Sequence, residues 1–519
     1  MKKEVRGFLK TSKRSVLTRA ALLLAILFLQ ACAGFGPGGP SKPPNIILFL
    51  VDDLRWDEVG YGGSPVSTPG IDQLALDGIR FENAFVTSSL CSPSRASFLT
   101  GMYPHTHGVV GNTTDIDFDT MPTIGSLLQE SGYRTAMIGK WHMGKNSAPR
   151  PGFDYWYALP GQGQYMNPQF NDNGQKIQVD GYNTDILTDT TLAFLKEQGD
   201  QPFYLHLSYK AVHGPFKPSP KYQDTLNREM FEPLKRPNAK RTASKLRKLR
   251  AEALQSVDDS VLAVYEYLKD NDMLDNTILV FTSDNGYLFG EHGRGDKRVF
   301  FEESIRIPWV VHYPRLTSRI DSIDEHILNI DFLPSILDFA GVDIPDAMQG
   351  RSFAPLLQRN RRAARKLAEN WRDHWVYEYI NEEQFPHVPT HLAVVTPEHK
   401  YVHFPEGQGV VQYFTGEDLL FDLKADPYEM TNVANSPGYE IQLETMRGQL
   451  ADFMEDYDFQ FYPLDEERIN KRIKFLYRQD EAIWLKRALD RLYPEGFPEW
   501  VSPHSQYEDR LEGSPSAEE

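Results

Sequence analysis

From Asn45 the chain runs Ile-Ile-Leu-Phe-Leu-Val without a polar position and then meets Asp52-Asp53. A strand that alternates apolar and polar residues buries one face; an unbroken run belongs to a strand covered on both. Thr277 to Thr282 repeats the pattern and leads to Asp284-Asn285, and a shorter run, Phe203 to Ser208, precedes His213. Between these runs the patterning is helical over Ile71–Leu76, Thr123–Glu130 and Asp185–Lys196, and the segment Ala251–Lys269 is helical as well. Strands alternating with helices indicate an α/β fold on a parallel sheet. Such sheets bind ligands beyond the C-terminal ends of their strands, and both acidic pairs stand there.

The pattern changes after about residue 372. Val394 to Phe404 and Val410 to Phe414 read as antiparallel strands, followed by a helix with Leu443, Met446, Leu450, Met454 and Tyr457 on one face. The predicted organisation is a catalytic domain over 45–372, a smaller α+β subdomain over 373–505 and an acidic, disordered tail over 506–519. The opposite end carries Lys2, Lys3, Arg6, Lys10, Lys13, Arg14 and Arg19, then the apolar run Ala20 to Leu29. These are the n- and h-regions of a signal peptide, too short to persist as a membrane helix. Leu29-Gln30-Ala31-Cys32 resembles a bacterial lipobox. The resemblance implies a lipoprotein-type signal over 1–31, lipidation of Cys32 and a flexible Gly/Pro/Ser tether over 32–44. The expected location is the periplasm or cell surface, with the membrane as a partner through the lipid anchor.

Composition narrows the function. The 519 residues are 40% hydrophobic, ample for a large core, and the net charge is −17. That balance argues against nucleic acid as a partner and obliges an anionic substrate to find a local basic pocket. Two cysteines, Cys32 and Cys91, make no disulfide framework. The basic stretch Lys235 to Arg250 reads as a solvated helix face rather than a guide for a polyanion. Trp156 to Tyr182, rich in Tyr, Gln, Asn and Gly, suits either a sugar surface or an ordinary loop.

The chemistry concentrates at Cys91-Ser92-Pro93-Ser94-Arg95-Ala96-Ser97-Phe98-Leu99-Thr100-Gly101. Pro93 suits a first helical turn, which puts Cys91 at a helix N-terminus, where anions are attracted. Arg95, one turn on, can fork onto an oxyanion. The arrangement suits a nucleophile facing an anionic ester. Asp52, Asp53, Asp284 and Asn285 are hard oxygen donors with no His or Cys pair at zinc spacing, which favours Ca²⁺ or Mg²⁺. Lys140 and His142 sit in Gly-Lys-Trp-His-Met-Gly, and alternation at a strand end puts them on one face. His213 sits in Ala-Val-His-Gly-Pro-Phe, and Lys297 ends the run that starts at Gly290. Lysines offer compact positive charge and histidines a proton.

The stretch 91–101 matches the Cys-x-Pro-Ser-Arg-x-Ser-x-Leu-Thr-Gly signature of type I sulfatases. Residues 139–144 resemble that family's Gly-Lys-Trp-His-x-Gly, His213 its His-x-Pro, and Leu420 to Glu429 a phrase of its C-terminal subdomain. On these motifs the chain is identified as a member of the formylglycine-dependent sulfatases, of the bacterial polysaccharide type, over roughly residues 45–435. The resemblance implies an alkaline-phosphatase-like sandwich: a large mixed, mostly parallel sheet flanked by helices, plus a smaller C-terminal α+β subdomain with an antiparallel sheet.

It also implies that a maturation enzyme oxidises Cys91 to formylglycine (3-oxoalanine). One Ca²⁺ would then be held by Asp52, Asp53, Asp284, Asn285 and the group at 91. Arg95, Lys140, His142, His213 and Lys297 would join residue 91 in catalysis, with Lys140, His213, Lys297 and His292 against the substrate. Asp57 and Arg294 are further candidates, and His105 and His107 are expected to be structural. In this scheme the hydrated aldehyde, a gem-diol, attacks sulfur with one hydroxyl and expels sulfate with the other. The expected substrate is a sulfated carbohydrate, an algal glycan such as ulvan or a glycosaminoglycan, cut at chain ends. Two alternatives remain at this point: a phosphonate monoester or phosphodiester hydrolase of the same superfamily, and a lipoprotein that binds sulfated glycan without cutting it.

Overall fold

The strand Asn45–Val51 (β1) is buried at all seven positions and lies inside a ten-stranded sheet. The structure is a computed structural model; it describes residues 42–461 apart from 145, 232–236, 238–242, 317–321, 358–368, 370, 383–384, 386–387 and 406–416. The sheet's other strands are Ile79–Phe81 (β2), Arg134–Lys140 (β3), Tyr155–Leu159 (β4), Gln169–Asp172 (β5), Gln175–Gln178 (β6), Phe203–Ser208 (β7), Thr277–Ser283 (β8), Trp309–His312 (β9) and Ser322–Ile323 (β10). Their order is β10-β2-β9-β8-β1-β7-β3-β4-β5-β6. The block β8-β1-β7-β3-β4 is parallel throughout, and antiparallel strands extend it on both sides.

Unbroken apolar runs form these strands because both faces are covered. Ile46, Leu48 and Leu50 enter one hydrophobic cluster, and Ile47, Phe49 and Val51 enter the other. Each such side chain contributes about 1.5–3 kcal/mol by leaving water. The second cluster is closed by helices Pro69–Asp77 (α1), Asn183–Lys196 (α4) and Ser244–Asp270 (α5). The first is closed by Cys91–Thr100 (α2), Ile124–Glu130 (α3) and Phe332–Ala340 (α6). It also takes in a four-stranded antiparallel sheet, Trp375–Tyr379 (β11), His391–Val395 (β12), His399–His403 (β13) and Leu419–Asp422 (β14), and the helix Glu440–Asp456 (α7). Among the described residues no helix is long and apolar enough to cross a membrane.

Helix α2 is buried at all ten positions, so it shows no polar face. Gly101 ends it in the left-handed region, φ 68°, with its N–H on the Ser97 carbonyl, a conformation that glycine adopts without a Cβ clash.

Three sequence expectations change. Val394 to Phe404 is a hairpin, not one strand: Pro397 has no N–H for a ladder, and the turn closes through Thr396 N–H to the His399 carbonyl at 2.9 Å. Trp156 to Tyr182 is not one loop, since it supplies most of β4, all of β5 and the edge strand β6. The basic stretch enters helix α5 at Ser244, and Arg250 is fully buried rather than solvated. The expected signal peptide, Cys32, nearly all of the tether, the acidic tail and the strand Val410–Phe414 lie outside the described residues.

Four core histidines make the fold acid-sensitive. Burial holds His107 and His206 down to about 3 and His312 and His391 to about 4, against an ordinary 6.5. Below pH 6.5 the unfolded chain therefore takes up protons that the folded chain refuses, so stability falls as pH drops toward 4. Each histidine contributes up to about 1.4 kcal/mol per pH unit to that fall. Urea-unfolding midpoints measured at pH 7, 6 and 5 are expected to decline progressively; a flat profile contradicts this account.

Candidate active site

The parallel pairing of β1 with β8 places Val51 beside Ser283, so the next residues of both strands leave the sheet together. The Asp53 N–H donates to Asp284 Oδ1 at 2.9 Å, and Asn285 Nδ2 donates to Asp53 Oδ1 at 2.7 Å. Helix α2 brings Cys91 over them, with Sγ 3.4 Å from Asp52 Oδ1 and 3.9 Å from Asp53 Oδ1. The end of β3 delivers Lys140 onto Asp52, and the loop after β8 delivers Lys297 onto Asp53, with its Nζ 2.9 Å from Cys91 Sγ. His213, in the segment after β7, donates Nδ1–H to the Gly214 carbonyl at 2.9 Å. Its Nε2 faces Asp53 Oδ2 at 3.8 Å. Asp52, Asp53, Cys91 and His213 each present a ligand atom, all within 4.8 Å of one another.

Arg95 does not reach outward to an oxyanion. Its Nε and one terminal nitrogen both contact Asp284 Oδ2, at 2.9 and 2.8 Å, and the other donates to the Lys140 carbonyl and to Ser208 Oγ. The guanidinium thus ties β3, β7 and β8 together behind Cys91. His142 has its carbonyl held by Ser92 Oγ, and its Nδ1 is buried without a hydrogen-bond partner among the described residues.

The electrostatics follow from burial and pairing. Burial opposes ionisation of Asp52, but Lys140, His213, Arg95 and Lys297 outweigh it and hold the carboxyl well below the ordinary range. Burial is likewise outweighed at Asp53, chiefly by Lys297, leaving it at about 2. At Asp284 burial and the Asp52 charge win and raise it to about 6. Burial pushes the Cys91 thiol up despite two lysines, so the unmodified sulfur stays protonated and is a weak nucleophile. Burial and Lys140 lower His142, and burial lowers His213; both rings are neutral at rest. The donor set fits a hard cation. Asp52 and Asp53 are ionised, Asp284 and Asn285 adjoin them, and Asn285 Oδ1 is buried with no partner among the described residues.

Three candidates stand outside the contacts around Cys91. His292 stacks on Phe301 at 3.5 Å and pairs with Glu303 at 3.7 Å, in a separate cluster with Glu429. Its sequence neighbourhood suggested substrate contact, but an imidazole beside a buried carboxylate turns inward. Asp57 is held by Arg55 at 2.5 Å, while Arg294 is half-exposed. His105 binds Glu378 at 2.7 Å and His107 binds Ser97 at 3.1 Å, structural contacts in both cases.

Sequence reasoning missed Lys210, which stands two residues beyond the end of β7. The available signal was its place after an apolar strand, the same place that marks Asp52 and Asp284. It also missed Arg250, whose guanidinium donates to Glu58 and to the Asp53 carbonyl at 2.5 Å.

Residues 44–342 match the family model described as Sulfatase. The chain belongs to the sulfatase family. Residues 290–456 of the sulfatase also match a model described as N-sulphoglucosamine sulphohydrolase, C-terminal. The sulfatase is 30% identical to an N-acetylglucosamine-6-O-sulfatase of Bacteroides thetaiotaomicron, over 84% of its own chain and 90% of that protein. It is 30% identical to an ulvan-active sulfatase of Formosa agariphila, over 77% and 79% of the two. Its fold superimposes, with a TM-score of 0.70 and 28% identity, on a solved structure of another protein in complex with its substrate, D-glucosamine-2-N,6-O-disulfate; the match covers 80% of this chain and 98% of that one. The large mixed sheet, its helices and the C-terminal antiparallel sheet are the alkaline-phosphatase-like sandwich that the resemblance implied, and the protein is a sulfuric ester hydrolase.

Removing one member of a buried ion pair strands the other. Arg95→Met in the sulfatase is expected to cost roughly 3–5 kcal/mol of unfolding free energy, read from urea denaturation; a loss under about 1 kcal/mol would mean that Arg95 is not the clamp on Asp284.

Proposed function

We propose that the chain is a sulfated-glycan sulfatase that works through formylglycine at position 91 and one Ca²⁺. The observation that carries this reading is the buried convergence of Cys91 with Asp52, Asp53, Lys140, Lys297 and His213. Asp52, Asp53, Asp284 and Asn285 would hold the ion, with the group at 91. Bound there, Ca²⁺ would neutralise sulfate charge and orient the oxygen nucleophile that the hydrated aldehyde supplies.

The protein's own groups do the rest. Lys140 and Lys297 present ammoniums to the sulfate oxygens, in a site drier than water, where such contacts are stronger. A carbonyl only accepts, so His213 Nδ1 carries the proton of the neutral ring and Nε2 presents a lone pair; the proton for the departing bridging oxygen comes from the Lys297 ammonium, or from His213 once Nε2 has itself taken up a proton. His142, buried and neutral with an unpartnered Nδ1, is the base for the step that releases sulfate. Arg95 keeps Asp284 and the β3 and β7 ends in place.

The substrate proposal is a sugar sulfate at a chain end, with 6-O-sulfated N-acetylglucosamine the first to test. Two things support it: the named activities of the relatives, and a buried floor at which, among the described residues that meet Cys91, His213 is the most exposed, with one fifth of its side chain open to solvent. We further propose export of the enzyme and anchoring through a lipidated Cys32, which labelling with a radioactive fatty acid would test.

Cys91→Ala is expected to abolish turnover of sulfated N-acetylglucosamine while the thermal midpoint stays within a few degrees of the parent. Appreciable residual turnover would sink the formylglycine scheme, as would active protein whose residue-91 peptide still has the mass of cysteine. Chelation by EGTA should remove activity and excess Ca²⁺ should restore it; full activity in EGTA argues against the ion.

A further inference from the structure

Four cations surround the floor of this site, and three of them are matched. Lys140 lies on Asp52, Lys297 on Asp53 and Arg95 on Asp284. The fourth is Lys210. It is 2% exposed and forms no ion pair with any described residue. Its backbone position is set by the zip between the segment after β7 and the end of β1. The Tyr209 N–H donates to the Leu50 carbonyl at 2.9 Å, the Asp52 N–H to Ala211 at 3.0 Å, and the Val212 N–H back to Asp52 at 2.9 Å.

The ammonium is aimed from two sides. Nζ donates to the Gly214 carbonyl at 3.1 Å and stands 5.0 Å from the centroid of the Tyr165 ring. The Tyr165 hydroxyl in turn donates to the His213 carbonyl at 2.5 Å. Burial and Lys140 lower the Lys210 pKa to about 8, while Asp52, Asp53 and Cys91 oppose them, so the group belongs to the field of the reacting centre and keeps its proton at neutral pH. An ammonium carries three N–H groups, and the Gly214 carbonyl takes one. A buried cation without a carboxylate is costly to the fold; groups of this kind concentrate where a ligand supplies the missing charge.

We propose that Lys210 is a substrate-binding residue, whose ammonium, positioned by Gly214 and Tyr165, takes an anionic oxygen of the bound sulfated sugar. This rests on the sulfatase reading of the Cys91 site. The oxygen belongs either to the ester being cleaved or to a second anionic substituent on the same sugar, and the test separates the two.

The full-length, matured enzyme is compared with Lys210→Met and Lys210→Arg. Each is assayed for kcat and KM on glucosamine 6-sulfate and glucosamine 2-N,6-O-disulfate, for inhibition by inorganic sulfate, and for thermal midpoint. Loss of a charge-assisted hydrogen bond is expected to raise KM by roughly tenfold to a hundredfold in the Met variant, with a smaller change in kcat. The thermal midpoint should be unchanged or higher, because an unmatched buried charge has been removed, and Arg should restore most of the binding. Weakening toward both sugars and inorganic sulfate assigns the contact to the reacting ester; weakening toward the disulfate alone assigns it to the second group.

The proposal is overturned if KM for both sugars and sulfate inhibition stay within about twofold of the parent. It is also overturned if the loss comes with a lowered midpoint and Arg does not rescue it, which is the signature of an anchor for Gly214 alone. Should the parent hydrolyse neither sugar, the sulfatase reading has failed separately. Calorimetric titration with inorganic sulfate then decides the matter: weaker binding in the Met variant supports the role of Lys210, while equal binding, or none to the parent, refutes it.

Discussion

The site depends on charges buried in pairs at the point where two apolar strands run out. A carboxylate moved into this interior alone would take up a proton; matched by an ammonium or guanidinium, it stays ionised. Asp52 with Lys140, Asp53 with Lys297, and Asp284 with Arg95 are three such matches. The cations come from three different parts of the chain, and all arrive because β3, β7, β1 and β8 are adjacent in one parallel sheet. The sheet exists because residues 46–51 and 277–282 bury both faces. The same hydrophobic pattern that builds the core therefore aims the chemistry.

Two buried arginines keep the loop that carries Lys297 in place. Arg55 reaches Glu291 at 2.7 Å and lies over the Phe289 ring, while Arg250 holds Glu58 and stands 4.6 Å from the Tyr287 ring centroid. Two buried guanidiniums, aromatic faces and acidic partners thus clamp the residues on either side of the Asp53 backbone. An arginine used in this way is not interchangeable with lysine, since the planar ion both stacks and forks. The basic helix start beyond residue 243 is part of this clamp, which is why its last arginine faces inward.

The contrast between Cys91 and its neighbours is equally physical. The sulfur sits at a helix N-terminus among cations, which favours a thiolate, yet complete burial prevails and leaves it protonated. A site with ample charge for an anionic ester is therefore poorly suited to sulfur as its nucleophile. The proposed conversion of Cys91 to formylglycine would resolve that mismatch.

Much of this was legible without coordinates. Apolar runs ending in Asp52-Asp53 and Asp284-Asn285 named the central strands and their catalytic ends, because strand burial and strand-end binding are properties of local pattern. The motifs at 91–101, 139–144 and 213–215 pointed to Cys91, Lys140 and His213, which the structure brings together around Asp52 and Asp53. The tertiary structure decided which partner each charge meets. It gave Arg95 to Asp284, turned His292 toward Glu303, sank Arg250 into the core and left Lys210 a buried cation with no carboxylate partner among the described residues. It also broke 394–404 at Pro397 and made strands of a segment whose composition suited either a sugar surface or a loop. Periodicity and motif spacing are written along the chain, and so they survive in the sequence; the pairing of a buried charge is settled by groups distant along the chain that only the completed sheet brings within a few ångströms.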